Sequence, residues 1–100
     1  MRDITKVVTH KGINYPIIYL FIYRDMKEKA HRGSFIPHRI LIEILKRRLY
    51  RIPRMLNEQI IKEMEELKLI KKVGVTNKIR YELIAKNIDK LLNQYIPIYF

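Results

Sequence analysis

Few side chains in this sequence have the type and spacing that catalysis or metal binding requires. The histidines His10, His31 and His38 fall on three different predicted elements, and none stands four residues from another metal ligand. There is no cysteine, so thiolate nucleophiles and thiolate ligands are excluded. The glycines stand singly rather than in a phosphate-binding loop, and no two acidic residues are predicted to share an apolar pocket. We expect no enzymatic activity, no cofactor and no metal.

The chemistry that remains is the recognition of a polyanion. The chain has 21 lysines and arginines against 10 aspartates and glutamates, a net charge of +11 at pH 7. Such an excess repels itself in a folded chain and is tolerated more easily beside an anionic partner. A highly charged solubility surface, or the composition of a thermophile, is the alternative. The longest apolar run, from Tyr15 to Tyr23, is shorter than the ~20 residues that span a bilayer, so we expect no membrane partner.

The basic residues form two groups on either side of a predicted third helix. The side chains expected to contact phosphates are Arg39, Lys46, Arg47, Arg48, Arg51 and Lys62. The second group, on a predicted hairpin, is Lys71, Lys72, Asn77, Lys78 and Arg80. For both groups the alternative is an ordinary solvated basic surface.

The leading end of the third helix carries side chains of the types that read base edges. They are Arg54, Asn57, Glu58 and Gln59. Residues 53–70 as a whole hold three basic and four acidic side chains, which argues against contact with a polyanion. Glu63, Glu65 and Glu66 lie in the last turns, however, away from the leading end. The alternative for each of the four is a solvated position on the helix surface.

The elements that must position these side chains follow from apolar periodicity and turn residues. Residues 1–14 are expected to form an arm or a strand, residues 15–85 one domain, and residues 86–100 a C-terminal helix and tail. The sequence predicts four helices: from Tyr15 to about Lys29, from Pro37 to about Arg48, from Pro53 to about Leu67, and from Lys86 to Tyr95. It also predicts a β-prone run from Ile4 to Thr9 and a short strand at Gly33 to Ile36. A hairpin is predicted from the strands Leu69 to Val73 and Ile79 to Ile84.

Two of these helices have apolar faces that make distinct predictions. In the third helix Leu56, Ile60, Met64 and Leu67 recur on one face and are expected to be buried. The first helix is apolar on all sides at its start, which indicates either a central buried helix or a dimer interface. The residues expected at a homodimer interface are Tyr15, Tyr19, Ile22, Tyr23, Leu92 and Tyr95.

The order of helix, short strand, helix, tight turn, helix and hairpin resembles the winged helix-turn-helix superfamily, in the manner of a small archaeal, viral or plasmid regulator. The segment from Ile52 to Ile70 looks like the recognition helix of that superfamily and the start of its wing, and Tyr81 stands where an aromatic residue is common in the returning strand. Lys68 occupies a position that is often glycine, and Asn57 one that is often aliphatic. The resemblance covers about residues 15 to 85.

This resemblance implies a mainly α fold with a small β-hairpin, an α+β class. It also implies a homodimer that binds double-stranded DNA, with the third helix in the major groove and the wing on the backbone. Such a protein would be cytoplasmic and nucleoid-associated, and would act in transcription control or in DNA organisation or partition. Two alternatives stay open: a winged-helix module for protein interaction, and RNA or single-strand binding through the tyrosines.

Overall fold

The computed structural model describes residues 7–30, 35–49, 56–74 and 78–85. Its elements are β1 (Val7–His10), β2 (Ile13–Pro16), α1 (Ile17–Lys29), β3 (Phe35–Pro37), α2 (His38–Arg48), α3 (Leu56–Glu66), β4 (Ile70–Val73) and β5 (Arg80–Leu83). The predicted last helix lies outside the described residues, as do the side chains of Arg51, Arg54, Asn77, Leu92 and Tyr95. The described part of the chain is an α+β fold with three helices and two small antiparallel sheets.

The first sheet is a hairpin of β1 and β2 whose turn is Lys11 and Gly12. Both turn residues have positive φ, 52° and 78°, as the tight turn of a two-residue hairpin requires. The sequence predicted the first strand and the turn, but it assigned Tyr15 and Pro16 to the following helix. Pro16 instead ends β2 and precedes α1, because its fixed φ suits extended backbone and its ring removes a donor.

α1 is the central helix of the core. Tyr19 is 8% exposed, Ile22 is fully buried and Tyr23 is 2% exposed, while Tyr15, at the end of β2, is 8% exposed. These four side chains pack within their own chain, while the homodimer and its contacts at Leu92 and Tyr95 stay a prediction. The alternative of a central buried helix is the one that the structure has. Other elements of the same chain contact this helix on several sides and cover its apolar surface.

The second sheet has the strand order β3-β5-β4, all antiparallel. The predicted hairpin is formed by β4 and β5, and the predicted short strand is β3, which pairs with β5. Tyr81 and Leu83 are buried while Arg80 is exposed and Glu82 is partly exposed, which is the alternation of a strand with one buried face. The backbone N–H of His38 donates to the carbonyl of Ile79 at 3.1 Å, so the sheet fixes the start of α2.

α2 and α3 each bury one face against this core. In α2 the buried side chains are Leu41, Ile44 and Leu45. In α3 they are Ile60, Ile61 and Met64, while Leu56 is 36% exposed and Leu67 is partly exposed. The prediction is confirmed for Ile60 and Met64, but Leu56 lies at the exposed edge of the helix. Ile61, which the prediction did not include, is buried, so the buried face is centred closer to Ile61 than the predicted row is.

α3 ends at a residue with left-handed backbone. Lys68 has φ 60°. Its N–H donates to the carbonyl of Glu65, and the N–H of Leu69 donates to the carbonyl of Met64, both at 3.0 Å. These two bonds form a Schellman motif, in which glycine is the usual left-handed residue. The chain then enters β4 through Leu69 and Ile70, which are both buried.

Candidate nucleic-acid interface

The first predicted group of phosphate contacts lies mainly on α2. Arg39 is exposed in the first turn of this helix, and Lys46 and Arg47 are exposed in its last turn. Lys62 is exposed on α3. These four long side chains end in solvent, and each can reach an anionic partner.

Arg48 belongs to this predicted group but is engaged inside the chain. Its Nε lies 2.5 Å from Oδ2 of Asp25 and its Nη2 lies 2.9 Å from Oδ1 of the same carboxylate. The guanidinium also lies 5.4 Å from the ring centroid of Phe21. The hydrogen bond with Asp25 raises the pKa of Arg48 above its ordinary value, against an opposing effect of burial. Arg48 therefore links α2 to α1 through Asp25, and its role as a phosphate contact stays a prediction.

Sequence reasoning missed this pair because 23 residues separate its members. A signal was present: Asp25 stands four residues after Phe21 and three after Ile22, so it shares a helix face with apolar side chains. A carboxylate in that setting needs a charged or hydrogen-bonding partner.

The second group lies on the β4–β5 hairpin. Lys71, Lys72, Lys78 and Arg80 are all exposed. The Arg80 guanidinium lies 4.9 Å from the ring centroid of Phe35 on the neighbouring strand, which holds it over the sheet.

The strand register determines on which face of the hairpin each basic side chain lies. Lys72 stands opposite Tyr81, so it lies on the same face of the hairpin as the buried pair Ile70 and Leu83, although its own side chain is exposed. Lys71 stands opposite Glu82, on the other face, which also carries Arg80. The hairpin therefore has basic side chains on both of its faces.

Gly74 controls the geometry at the end of β4. Its φ is 99°, and a Cβ at this position would lie 2.3 Å from the carbonyl oxygen of Lys78. Only glycine fits so close an approach of the two strands. The backbone of Lys78 therefore packs directly against Gly74 at this end of the hairpin.

The predicted base-reading residues lie at the start of α3. Glu58 and Gln59 are exposed, and Asn57 is partly exposed. Gln59 is not isolated: its Nε2 donates to Oε1 of Glu63 at 3.3 Å, and Oε2 of the same carboxylate accepts from the hydroxyl of Tyr19 on α1. Sequence reasoning missed this connection because Tyr19 was assigned to a dimer interface.

A second polar pair joins the sheet to α2. The hydroxyl of Tyr81 lies 2.8 Å from Nδ1 of His38. Burial raises the pKa of Tyr81 to about 12, and the negative charges of Glu65 and Glu58 add to this effect. The Tyr81 hydroxyl can donate to Nδ1 of His38 or accept from it, so either arrangement links the sheet to the start of α2.

The balance of exposed charge differs between α3 and the elements around it. From Leu56 to Glu66, α3 has one lysine and four glutamates. Over all described residues the exposed basic side chains are Lys11, Lys27, Lys29, Arg39, Lys46, Arg47, Lys62, Lys68, Lys71, Lys72, Lys78 and Arg80, and the exposed acidic ones are Glu28, Glu43, Glu58 and Glu66. The described surface is strongly positive, and its positive charge lies mostly outside α3.

Within the described ranges, no three histidines, aspartates or glutamates come together as possible metal ligands. None of the helices described is both long enough and apolar enough to cross a membrane. The chain matches no known protein family, and comparisons with curated proteins and with solved structures find no match either.

Proposed function

We propose that this chain binds double-stranded DNA as a winged helix-turn-helix protein, with α3 directed at the major groove and the β4–β5 hairpin lying along the backbone as the wing. A role in transcription control or in DNA organisation or partition follows from such binding. The order of α1, β3, α2, α3 and the β4–β5 hairpin supports the proposal. So does the pairing of β3 with the returning strand β5, which places the strand before α2 and the hairpin after α3 in one sheet.

The observation that carries the proposal is the exposed positive charge on two elements that flank α3 in the chain. Arg39, Lys46 and Arg47 lie on α2, and the exposed basic residues of the hairpin follow α3. Lysine and arginine side chains neutralise phosphates on either side of a groove, while a helix between them can reach the base edges. The proposal assigns positioning to these flanks and sequence reading to α3.

The end of α3 gives independent support. The superfamily often has glycine before its Leu-Ile pair, and the residue at that position here, Lys68, has the left-handed backbone that glycine favours. The buried pair Leu69 and Ile70 then begins the hairpin. Left-handed backbone at this position is what a glycine there would adopt, and this supports the proposal although the residue is different.

The glutamates of α3 are compatible with a groove only if most of them stay away from phosphates. Glu63 accepts a hydrogen bond from Tyr19. Glu65 is partly exposed, and its negative charge helps to raise the pKa of the buried Tyr81. Glu58, near the leading end, can accept a hydrogen bond from cytosine. Glu66 lies at the far end of the helix.

The test is the binding of a fluorescent duplex and of a single strand of the same length, measured by anisotropy at several salt concentrations. We expect the duplex to bind more tightly. With some six to ten phosphate contacts, affinity should fall about 10³-fold to 10⁵-fold between 50 and 200 mM salt. Equal binding of both strand forms, or binding that salt does not weaken, would contradict the proposal.

A second candidate is a winged-helix module that binds another protein, and the exposed acidic residues of α3 favour it. Glu58 and Glu66 lie on the exposed side of α3 with Lys62, a pattern suited to a basic protein surface. Absence of duplex binding at low salt would favour this function. Single-strand binding through tyrosines has less support, because Tyr15, Tyr19, Tyr23 and Tyr81 are buried and cannot stack on bases.

A further inference from the structure

Three side chains form a chain of hydrogen bonds from the core to the surface of α3. The hydroxyl of Tyr19, a side chain 8% exposed on α1, donates to Oε2 of Glu63. The other oxygen of that carboxylate accepts from Nε2 of Gln59 at 3.3 Å, one turn earlier on α3. Gln59 is exposed, so the chain connects a buried hydroxyl with an amide that faces solvent.

The bond to Glu63 determines what the Gln59 amide can still offer. A glutamine amide has two N–H donors and a carbonyl acceptor. One donor is used by Glu63, which fixes which end of the amide is nitrogen and leaves one N–H and the carbonyl oxygen available. Adenine presents the complementary pair in the major groove, the N7 acceptor and the N6 amino donor.

We propose that Tyr19 is a positioning residue that orients Gln59, through Glu63, to read adenine. This inference rests on the proposed function, in which the exposed face of α3 enters the major groove. Tyr19 itself touches no base. Without its hydroxyl, the Glu63 carboxylate loses its anchor on α1 and the amide of Gln59 loses its fixed orientation.

The chain also explains how a glutamate can lie beside a base-reading residue. Glu63 is partly exposed, and its two oxygens are both engaged by protein donors. A carboxylate held in this way cannot swing towards a phosphate.

The test begins with selection of preferred duplexes from a random pool by the wild-type protein. Affinities are then measured for the selected duplex and for copies in which single adenines are replaced. We expect one replacement to weaken wild-type binding about tenfold, the usual scale for a good two-bond contact. Tyr19→Phe, Glu63→Ala and Gln59→Ala should each abolish that difference. Tyr19→Phe should also leave the affinity for the replaced duplex and its salt dependence unchanged, because it removes no charge and no group that touches a base.

Two further variants make the result specific. Tyr15→Phe removes another tyrosine hydroxyl of equal exposure, 8%, and should keep the full preference. The double variant Tyr19→Phe/Gln59→Ala should lose no more preference than either single change, because both act on one contact.

The outcomes that overturn the inference differ from those that overturn the proposed function. If Tyr19→Phe and Glu63→Ala keep the preference that Gln59→Ala loses, Tyr19 does not position Gln59. If Gln59→Ala keeps it, Gln59 does not read the base. A wild-type protein that binds no duplex overturns the proposed function and the inference together, before any variant is made.

Discussion

Single basic residues in this protein serve different purposes that their type alone does not distinguish. Arg47 and Arg48 are adjacent in the last turn of α2, but Arg47 is exposed and Arg48 is bound to Asp25. Lys68 is exposed and is also the left-handed residue that ends α3. The role of each follows from its backbone and its neighbours.

Lys68 is expected to limit the stability of the fold. A residue with a Cβ in left-handed conformation costs about 1 kcal/mol or more, and glycine avoids this cost. We expect Lys68→Gly to raise the free energy of unfolding by about 1 kcal/mol in spite of the greater freedom of the unfolded chain. Urea denaturation measures the change. The control is Lys62→Gly, inside α3, which should lower stability by about the same amount.

Tyr81 is expected to make stability fall at alkaline pH. Its pKa is about 12 in the folded chain against an ordinary value of 10.0. The folded state holds this proton more tightly, so its contribution is complete below about pH 10 and is lost as pH rises towards 12. The free energy of unfolding of the wild type should therefore fall more steeply across this range than that of Tyr81→Phe. Parallel curves from urea denaturation would show that Tyr81 does not titrate in this way.

At the scale of elements, the position of α3 depends on which of its apolar side chains reach the core. Ile61 is 6% exposed and Met64 is fully buried, while Leu56 is 36% exposed. The helix is thereby held with Glu58, Gln59 and Lys62 towards solvent. A rotation of the helix by one residue would turn a different set of side chains outward.

The burial of Ile61 and the exposure of Leu56 predict opposite responses to truncation. Ile61→Ala should lower the free energy of unfolding by about 2 to 4 kcal/mol, because it leaves a cavity in the core. Leu56→Ala should cost less than about 1 kcal/mol, since much of that side chain is already in solvent. Thermal unfolding of the two variants compares them directly. A larger loss for Leu56→Ala would mean that Leu56, and not Ile61, is the side chain that packs in the core.

At the scale of the whole molecule, the excess of positive charge is carried by side chains that end in solvent and is distributed over several elements. Lys11 lies on the first hairpin, Lys29 at the end of α1, Arg39 on α2 and Lys78 on the second hairpin. Net charge alone therefore does not define a binding surface. The proposed interface requires the α2 and hairpin groups to matter more than the others.

This requirement is tested by removing one charge at a time. Lys78→Ala should weaken duplex binding to a similar degree for all sequences and reduce the slope of log affinity against log salt by about 1. Lys29→Ala removes the same charge from α1 and should leave the slope nearly unchanged. Anisotropy titrations at several salt concentrations give both slopes. Equal effects of the two substitutions would indicate a diffuse attraction without a defined interface.

Apart from β2, which was not predicted, the sequence by itself determined the kinds of elements in the described chain and most of their bounds. Proline before α2, the alternation of Tyr81 with Arg80 and Glu82, and glycine at Gly74 are local signals, and they act through backbone dihedrals and side-chain direction within a few residues. The short strand β3 and the hairpin were predicted for this reason. The net charge and its distribution along the chain were also fixed by the sequence.

Only the tertiary structure decided which faces are buried and which polar groups are engaged. The pairs Arg48 with Asp25, Tyr19 with Glu63 and Tyr81 with His38 join residues at least 23 positions apart. Such contacts depend on how helices and strands pack, which periodicity along one element does not specify. For the same reason Tyr19 and Tyr23, predicted at a dimer surface, lie in the core: the apolar surface of α1 was evident, but what covers it depends on the other elements.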